Sequence, residues 1–341
     1  MRRKTRKTAL LLAVAVTVPT PARAQILESV GSRALGMGGA FVAVADDSSG
    51  VWWNPGALAA GPFVDGAIGL ASAEARGPEP AARTRPLWFT LSTPVVGAGY
   101  YRFRLTEIAP AATGSAVPDR ETGGTGKSVR ALEASQVGVT LVQSLVSGVH
   151  VGTTLKYVRG TLRAADGPAG ANRDTLFELG RSLTGGVPQG RFDLDLGAIA
   201  VAGPIRLGAV VRNLRQVSFE SEGNASVAPM RLPRQVRIGF AVDGSKLGEM
   251  PLMVAVDADA VTYTTGLGDR RVVAVGAERW WFGRRLGLRA GGRFNQVGRR
   301  ERSGTAGASV AVRSGMFVEG HLAAGGSADE RGWGIGARVS F

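Results

Sequence analysis

The side chains that could carry out catalysis are few in this 341-residue sequence, and their spacing joins none of them into a site. His150 and His321 are the two histidines, and each stands alone in a segment of alternating residues. Serines are plentiful, but no spacing ties one of them to a histidine as nucleophile and base. With no cysteine, neither thiolate chemistry nor a disulfide can form. We therefore predict that the protein is not an enzyme and holds no cofactor and no metal.

One short stretch after the N-terminal region offers binding chemistry instead. Its adjacent carboxylates, Asp46 and Asp47, could hold a cation with neighbouring serine hydroxyls, although such pairs more often cap a helix or face solvent. Trp52 and Trp53 could line a hydrophobic ligand site or pack against a surrounding wall, and the next two residues predict a turn. We assign to a candidate ligand gate Asp46, Asp47, Trp52, Trp53, Asn54 and Pro55.

These residues belong to a segment that differs from the rest of the chain. Ser32–Leu58 is rich in glycine and alanine and carries little bulk, so it can pack closely against a wall of side chains. We predict that residues 25–62 form a small N-terminal hatch, or plug, inside a barrel formed by residues 63–341.

From residue 63 onward apolar and polar residues alternate, which is typical of β-strands with two different faces. At the C-terminus, for example, Trp333, Ile335 and Ala337 alternate with glycines. The fold class we predict is all-β, a membrane-spanning antiparallel β-barrel of about 14 strands of roughly ten residues. The strands are expected to start near residues 64, 86, 96, 130, 148, 191, 204, 233, 251, 270, 285, 303, 314 and 332.

The connections between these strands alternate in length. Even-numbered strands end in short links such as Pro94–Val95 and Gly203–Pro204, whereas odd-numbered strands end in long polar stretches such as Thr106–Val129 and Arg163–Gly190. Tight turns on one side and long loops on the other are typical of outer-membrane barrels.

Charged residues recur on the faces that this pattern turns inward. Neighbouring strands carry acidic and basic residues, so cross-strand pairs can form in the lumen, and placing them in lipid would be costly. These charged residues could be structural and pair with one another in a water-filled or plugged lumen. Alternatively, they could select the molecules that pass through the lumen. The set consists of Asp193, Asp195, Arg206, Arg212, Arg237, Asp257, Asp259, Glu278, Arg289 and Arg293.

The N-terminus is typical of an exported protein. Basic residues precede the apolar run Ala9–Val18, and Ala22-Arg23-Ala24 offers a cleavage site, so residues 1–24 are predicted to be a signal peptide. Its removal takes away six basic residues and lowers the formal net charge from +14 to +8. The remaining basic residues are spread singly without clustered aromatics, which favours lumen and lipid-headgroup contacts over nucleic-acid binding.

Gly36-Met37-Gly38-Gly39-Ala40-Phe41, Ala45-Asp46-Asp47-Ser48 and Trp53-Asn54-Pro55 together resemble the N-terminal signature of the FadL/PorV superfamily of outer-membrane β-barrels, with its PorV-like, TraF-like and FadL-like branches. The family usually has Asn-Pro-Ala-Gly-Leu where this chain has Asn54-Pro55-Gly56-Ala57-Leu58. The C-terminal strand, with Gly336, Val339 and Phe341, resembles the signal read by the barrel-assembly machinery.

The resemblance implies a protein of the Gram-negative type of outer membrane, with outer-membrane lipid and the assembly machinery as partners. A FadL-like member would pass a hydrophobic ligand, such as a fatty acid or hydrocarbon, across that membrane with the hatch as its gate. A PorV-like member would instead serve a secreted protein partner in secretion or surface attachment, without transporting small molecules.

Overall fold

The computed structural model describes residues 30–75, 80–110, 126–168, 170–221, 227–248, 251–326 and 330–341. The predicted signal peptide and the first five residues of the predicted hatch lie outside these ranges.

Fourteen antiparallel strands form a closed barrel, as the alternating pattern predicts. Each strand pairs with its neighbours along the chain, and the first strand, Asp65–Ala75, pairs with the last, Glu330–Ser340, to close the ring. Closure leaves no unpaired sheet edge, which a barrel in lipid requires. The barrel strands are β1 (Asp65–Ala75), β2 (Ala81–Ser92), β3 (Val96–Pro110), β4 (Lys127–Val146), β5 (Val149–Gly167), β6 (Gln189–Ala202), β7 (Ile205–Arg212), β10 (Gln235–Asp243), β11 (Leu252–Asp259), β14 (Val272–Trp281), β15 (Leu286–Asn295), β16 (Arg302–Arg313), β17 (Met316–Gly325) and β18 (Glu330–Ser340).

The predicted alternation of connection lengths is confirmed. At one end the links are as short as residues 147–148 and 314–315, whereas at the other end the chain runs from β5 to β6 through residues 168–188. We call the end with short links the turn end and the other the loop end. The loop-end connections contain α3 (Arg173–Ser182) and two small hairpins, β8 (Ser218–Phe219) with β9 (Met230–Arg231) and β12 (Tyr263–Thr265) with β13 (Gly268–Arg270).

Alternate residues of each strand face opposite sides of the wall. On β15, Leu288 and Phe294 are exposed on the outside, whereas Arg289 and Arg293 are buried inside. Similar apolar side chains form an outer belt around the barrel, among them Leu87, Phe89, Tyr100, Val137, Leu155, Phe192, Ile238, Val256 and Ile335. An apolar outer belt is typical of a barrel that spans a membrane.

Two details of the predicted strands are wrong. Strands β3 to β6 contain 15, 20, 19 and 14 residues rather than about ten, because at the loop end they continue past the apolar belt. Strand β2 begins at Ala81 rather than near residue 86, so Pro86 lies inside it. Proline has no N–H to donate, and the β1–β2 ladder is interrupted there, between the pairs Leu70–Leu87 and Ala73–Thr84.

The remaining short helices lie in the segment before β1. They are α1 (Ser32–Gly36), α2 (Gly50–Trp53) and a 3-10 helix over Pro55–Ala60, while a second 3-10 turn, Gly244–Lys246, follows β10. Within the described residues, none of the helices is long and apolar enough to cross a membrane.

Candidate ligand gate and lumen

Residues 30–60 lie inside the barrel, and nearly all of them are buried. We call this segment the hatch. It contacts strands on every side of the wall, from β3 to β6 through the 3-10 helix and from β15 to β18 through α1. The hatch leads directly into β1, so it fills the lumen next to the seam at which the barrel closes.

Glycines on the inner face of the wall make room for the hatch. A Cβ at Gly208 would lie 2.5 Å from the carbonyl oxygen of Val42, and one at Gly239 would lie 3.0 Å from the Ala43 nitrogen. Separations this short leave no space for any side chain. We call these residues the glycine girdle: Gly97, Gly152, Gly197, Gly208, Gly239, Gly276, Gly291 and Gly307.

Arg33 of α1 is the centre of the polar contacts of the hatch. Its Nε and Nη2 donate to both carboxylate oxygens of Glu278 on β14, at 2.7 and 2.9 Å. Its Nη1 donates to Asp46 at 2.6 Å and to Asp47 at 3.0 Å. A buried guanidinium is tolerated because three carboxylates surround it. Arg33 therefore occupies the place beside Asp46 and Asp47 where a cation could have been bound.

The two gate carboxylates continue this network in different directions. Asp46 also accepts from Arg206 on β7, at 3.1 Å, and Arg206 donates to Asp243 at the same distance. Burial alone would raise the pKa of Asp46, but the guanidinium groups of Arg33 and Arg206 outweigh it and lower that pKa. Asp47 accepts from the backbone N–H and hydroxyl of Ser49, at 3.0 and 2.5 Å.

Wall side chains also bind the hatch backbone directly. Asp257 on β11 accepts from the N–H groups of Phe41 and Val42, both at 2.8 Å. On β15, Arg293 donates to the carbonyl oxygen of Gly38 at 3.2 Å. Asp257 and Arg293 therefore hold the hatch backbone, and they do not only form ion pairs between neighbouring strands.

Asn54 joins hatch and wall on the side of β6. Its amide nitrogen donates to the carbonyl oxygens of Val42 at 2.8 Å and Ala198 at 2.9 Å, and its side-chain oxygen accepts from Gly56 N–H at 3.1 Å. Pro55 begins the 3-10 helix, where a missing N–H costs no hydrogen bond.

The adjacent tryptophans have different surroundings. Trp53 donates from Nε1 to the Val30 carbonyl oxygen at 3.0 Å and meets Phe41 edge-on. Trp52 packs on the wall, with ring centroids 4.9 Å from Tyr101 and 5.4 Å from Phe103. Within the described structure the Trp52 Nε1 and the Tyr101 hydroxyl have no hydrogen-bond partner. The guanidinium of Arg212 lies over both indoles, 5.2 Å and 5.5 Å from their centroids.

All ten residues of the charged set point into the lumen, but they do not form one continuous ladder. Arg237 pairs with Asp259 at 2.7 Å, and Arg289 lies 3.8 Å from Glu278. Asp193 and Asp195 flank the buried ammonium of Lys156 on β5, at 3.3 and 2.6 Å. Lys156 lies on the inner face of β5 and does not belong to the predicted charged set.

One side of the lumen is apolar at the loop end. Above Trp52, the inner faces of β3, β4 and β5 carry what we call the apolar sector: Tyr101, Phe103, Leu105, Leu132, Ala134, Val158 and Leu162. The β7–β10 connection packs on it through Val217, Phe219, Met230 and Leu232. Alternation alone predicted a polar inner face, so this sector was missed, although its inward-facing aromatic residues could have indicated it.

The histidines and the terminal strand complete the predicted residues. His150 Nδ1 lies 2.8 Å from Ser144 Oγ at the turn end. Among the described residues, no carboxylate forms a hydrogen bond with His150 to complete a catalytic triad. Val339 faces outward with the belt, and a Cβ at Gly336 would lie 2.8 Å from the Ile68 carbonyl oxygen. Phe341 is exposed, and its backbone exchanges hydrogen bonds of 2.8 and 3.1 Å with Val64.

Several solved structures share this fold. The CymD monoaromatic hydrocarbon channel aligns with a TM-score of 0.62 at 15% identity, covering 92% of this chain and 97% of that one. The Pseudomonas putida toluene transporter TodX gives 0.58 at 14% identity, over 93% and 99% of the two chains. A Pseudomonas aeruginosa FadL homologue gives 0.58 at 8% identity, over 92% and 98%. The fold is therefore that of the FadL-like outer-membrane barrels, and none of these three neighbours is named as a PorV protein.

A comparison with curated proteins finds no match. A family model described as "F plasmid transfer operon, TraF, protein" matches residues 80–259, more than half of the sequence. The matched part runs from β2 to β11 and so includes the apolar sector. The chain belongs to this TraF family.

Proposed function

We propose that this protein passes small hydrophobic molecules, such as fatty acids or hydrocarbons, across the outer membrane, with the hatch as its gate. The observation that carries the proposal is the apolar sector, which leads from the loop end down to Trp52 on the hatch. A pore for hydrophilic solutes needs no such surface, whereas sites for hydrophobic ligands are lined mainly by apolar and aromatic side chains.

The unequal attachment of the hatch supports its role as the gate. Toward β11 and β14 it is held by charged hydrogen bonds, from Arg33 to Glu278 and from the Phe41 N–H to Asp257. Toward the apolar sector, Trp52 is held by ring packing and by the Arg212 guanidinium. Ring packing is less directional than a hydrogen bond, so a ligand can displace it by offering equivalent apolar contact. The gate would open beside Trp52.

The route we propose runs along the lumen. Strands β3 and β4 pair without a break from Val96–Leu141 to Pro110–Lys127, so the wall behind the apolar sector is continuous. Two structural neighbours are named as a monoaromatic hydrocarbon channel and a toluene transporter, which agrees with this ligand class.

The proposal can be tested by uptake of toluene and of a long-chain fatty acid into liposomes that contain the protein. We expect faster uptake than into protein-free liposomes. Phe103→Gln should slow uptake because it places an amide of similar length in the apolar path, where it lacks partners. The matched control, Ser135→Gln, lies on the outer face of β4 and should leave uptake unchanged. Uptake no faster than into empty liposomes would refute the proposal.

The alternative, a partner for a secreted protein, has less support. It would rely on the loop-end connections as docking surfaces, and hot spots of protein interfaces favour exposed aromatic residues. Phe177, the main aromatic residue of the β5–β6 connection, is instead buried against the wall.

A further inference from the structure

A groove lies on the outside of the barrel at the loop end, between α3 and the wall. Helix α3 packs against the outer face through Leu176 and Phe177, which contact Ala81, Ile108 and Val129. The helix is fixed at its start by Asn172, whose side chain accepts from the Thr175 N–H at 2.8 Å. Between the helix and strands β2 to β5 remains a groove of about 280 Å³.

Five arginines line this groove together with a single carboxylate, Glu133. Two of the five already have acidic partners on or beside α3. Arg83 donates to Glu74 at 2.8 Å and to Asp174 at 2.9 Å, and Arg181 pairs with Glu178 at 2.9 Å. Both are largely neutralised: Arg83 links β2 to α3 through Asp174, whereas Arg181 and Glu178 pair within the helix.

The other three carry excess positive charge. Arg104 and Arg163 each lie 3.5 Å from Glu133, which also binds Arg102. Three guanidinium groups thus share one carboxylate. Arg85, on the outer face of β2, forms no ion pair with any described residue. The groove is therefore lined by more guanidinium groups than carboxylates, which suits an anion.

The groove also lies at a defined height on the barrel. On β2, which begins at the loop end, Arg85 precedes the belt residue Leu87 by two positions, and on β3 Arg102 and Arg104 stand two and four positions beyond Tyr100. Two residues of a strand cover about 7 Å. The arginines thus stand immediately above the apolar belt, where the headgroups of the outer leaflet would be.

We propose that this groove binds the phosphate-bearing headgroup of an outer-leaflet lipid, whose acyl chains lie against the belt below. Guanidinium groups bind phosphate through paired hydrogen bonds. A free phosphate ion would gain the same contacts but not the apolar contact with Leu87 and Tyr100. The inference rests on the proposed placement in an outer membrane and is independent of what the lumen carries.

The test uses the full mature chain in phosphatidylcholine nanodiscs that contain diphosphoryl lipid A, with bound lipid counted by native mass spectrometry. We expect lipid A to be retained by the unchanged protein. In the double variant Arg85→Gln/Arg104→Gln, retention should fall about tenfold, since each basic group near an anionic lipid surface contributes several-fold to binding. Both side chains are exposed on the outer wall, so the barrel should fold normally, as circular dichroism would verify.

The matched control is Arg300→Gln, which removes an exposed arginine from the β15–β16 connection, outside the groove. It should retain lipid A as the unchanged protein does. Equal retention by the double variant would overturn the proposal, as would competition by millimolar inorganic phosphate, which would indicate a site for free anions. Failure of the protein to enter nanodiscs would refute the membrane placement itself, whereas a negative uptake experiment would leave the groove unaffected.

Discussion

The two sides of the hatch are attached by different kinds of contact. Toward β11, β14 and β15, charged side chains of the wall bind Arg33 and the hatch backbone with directional bonds. Toward β3, Trp52 rests on Tyr101 and Phe103 through ring faces. One short segment is thus held by directional polar bonds at one edge and by ring packing at the other, which is the edge that a ligand would displace under the proposed function. This difference also separates the ionic residues that fasten the hatch from the apolar residues that would meet a ligand.

The most severe change to the fastened side is Arg33→Met. It leaves Glu278, Asp46 and Asp47 facing one another in a buried place, and breaking such a network costs about 3–5 kcal/mol. We expect a loss of this size in the free energy of unfolding, measured by denaturant titration in detergent micelles.

The native chain contains no cysteine, so Ser32→Cys can report whether the hatch has detached in that variant. The Ser32 hydroxyl is buried and has no hydrogen-bond partner among the described residues, which makes the exchange conservative. A thiol reagent should label the cysteine of Ser32→Cys rapidly when Arg33→Met is also present, and slowly when Arg33 is retained. The control combines Ser32→Cys with the surface substitution Arg300→Met. Equal labelling rates of Ser32→Cys alone, with Arg33→Met and with Arg300→Met would contradict the fastening role of Arg33.

A smaller effect is expected from Gly291→Ala in the glycine girdle. The new Cβ would press on the backbone of Met37 and Gly38, and overpacking of this kind costs about 1–3 kcal/mol. Gly304→Ala on the neighbouring strand is the control, because its Cβ would meet nothing closer than 3.9 Å. The same assay should find the first variant destabilised and the second unchanged. Equal stability of the two would show that the hatch does not press on the wall there.

The smallest effect distinguishes the two tryptophans. Trp53→Phe removes the hydrogen bond to the Val30 carbonyl, whereas Trp52→Phe removes an N–H that has no partner within the described structure. Because a typical hydrogen bond contributes about 1 kcal/mol, Trp53→Phe should be the more destabilising by about that amount. A reversed order would mean that Trp52, not Trp53, fastens the hatch.

Much of the barrel could be predicted from the sequence because its signals are local. Alternation assigns each residue to one face, and the alternating link lengths fix the number of strands and the two ends. The wrong strand boundaries depend on longer-range effects. Pro86 is typical of a residue that begins a strand, yet it lies within β2, at a point where the β1–β2 ladder has no paired residues. Strand β4 runs to 20 residues because its loop end is paired well beyond the lipid-facing belt.

The position of the hatch was more predictable than its polar contacts. The small-residue composition of Ser32–Leu58 indicated an enclosed segment, and the structure places it in the lumen. The role of Arg33 could not be read from sequence, since its partner Glu278 is 245 residues away. Likewise, the inward position of Asp257 followed from alternation, but its bonds to the Phe41 and Val42 N–H groups depend on where the hatch backbone lies.

The glycine girdle has a consequence for assembly. Wall and hatch backbones touch with no spare volume, and the hatch leads straight into β1, whose pairing with β18 seals the cylinder. A barrel that has already closed therefore leaves no opening through which a segment of this width could enter. We expect the N-terminal segment to be enclosed while the first and last strands pair. A barrel that closed without this segment inside would be a kinetically trapped state.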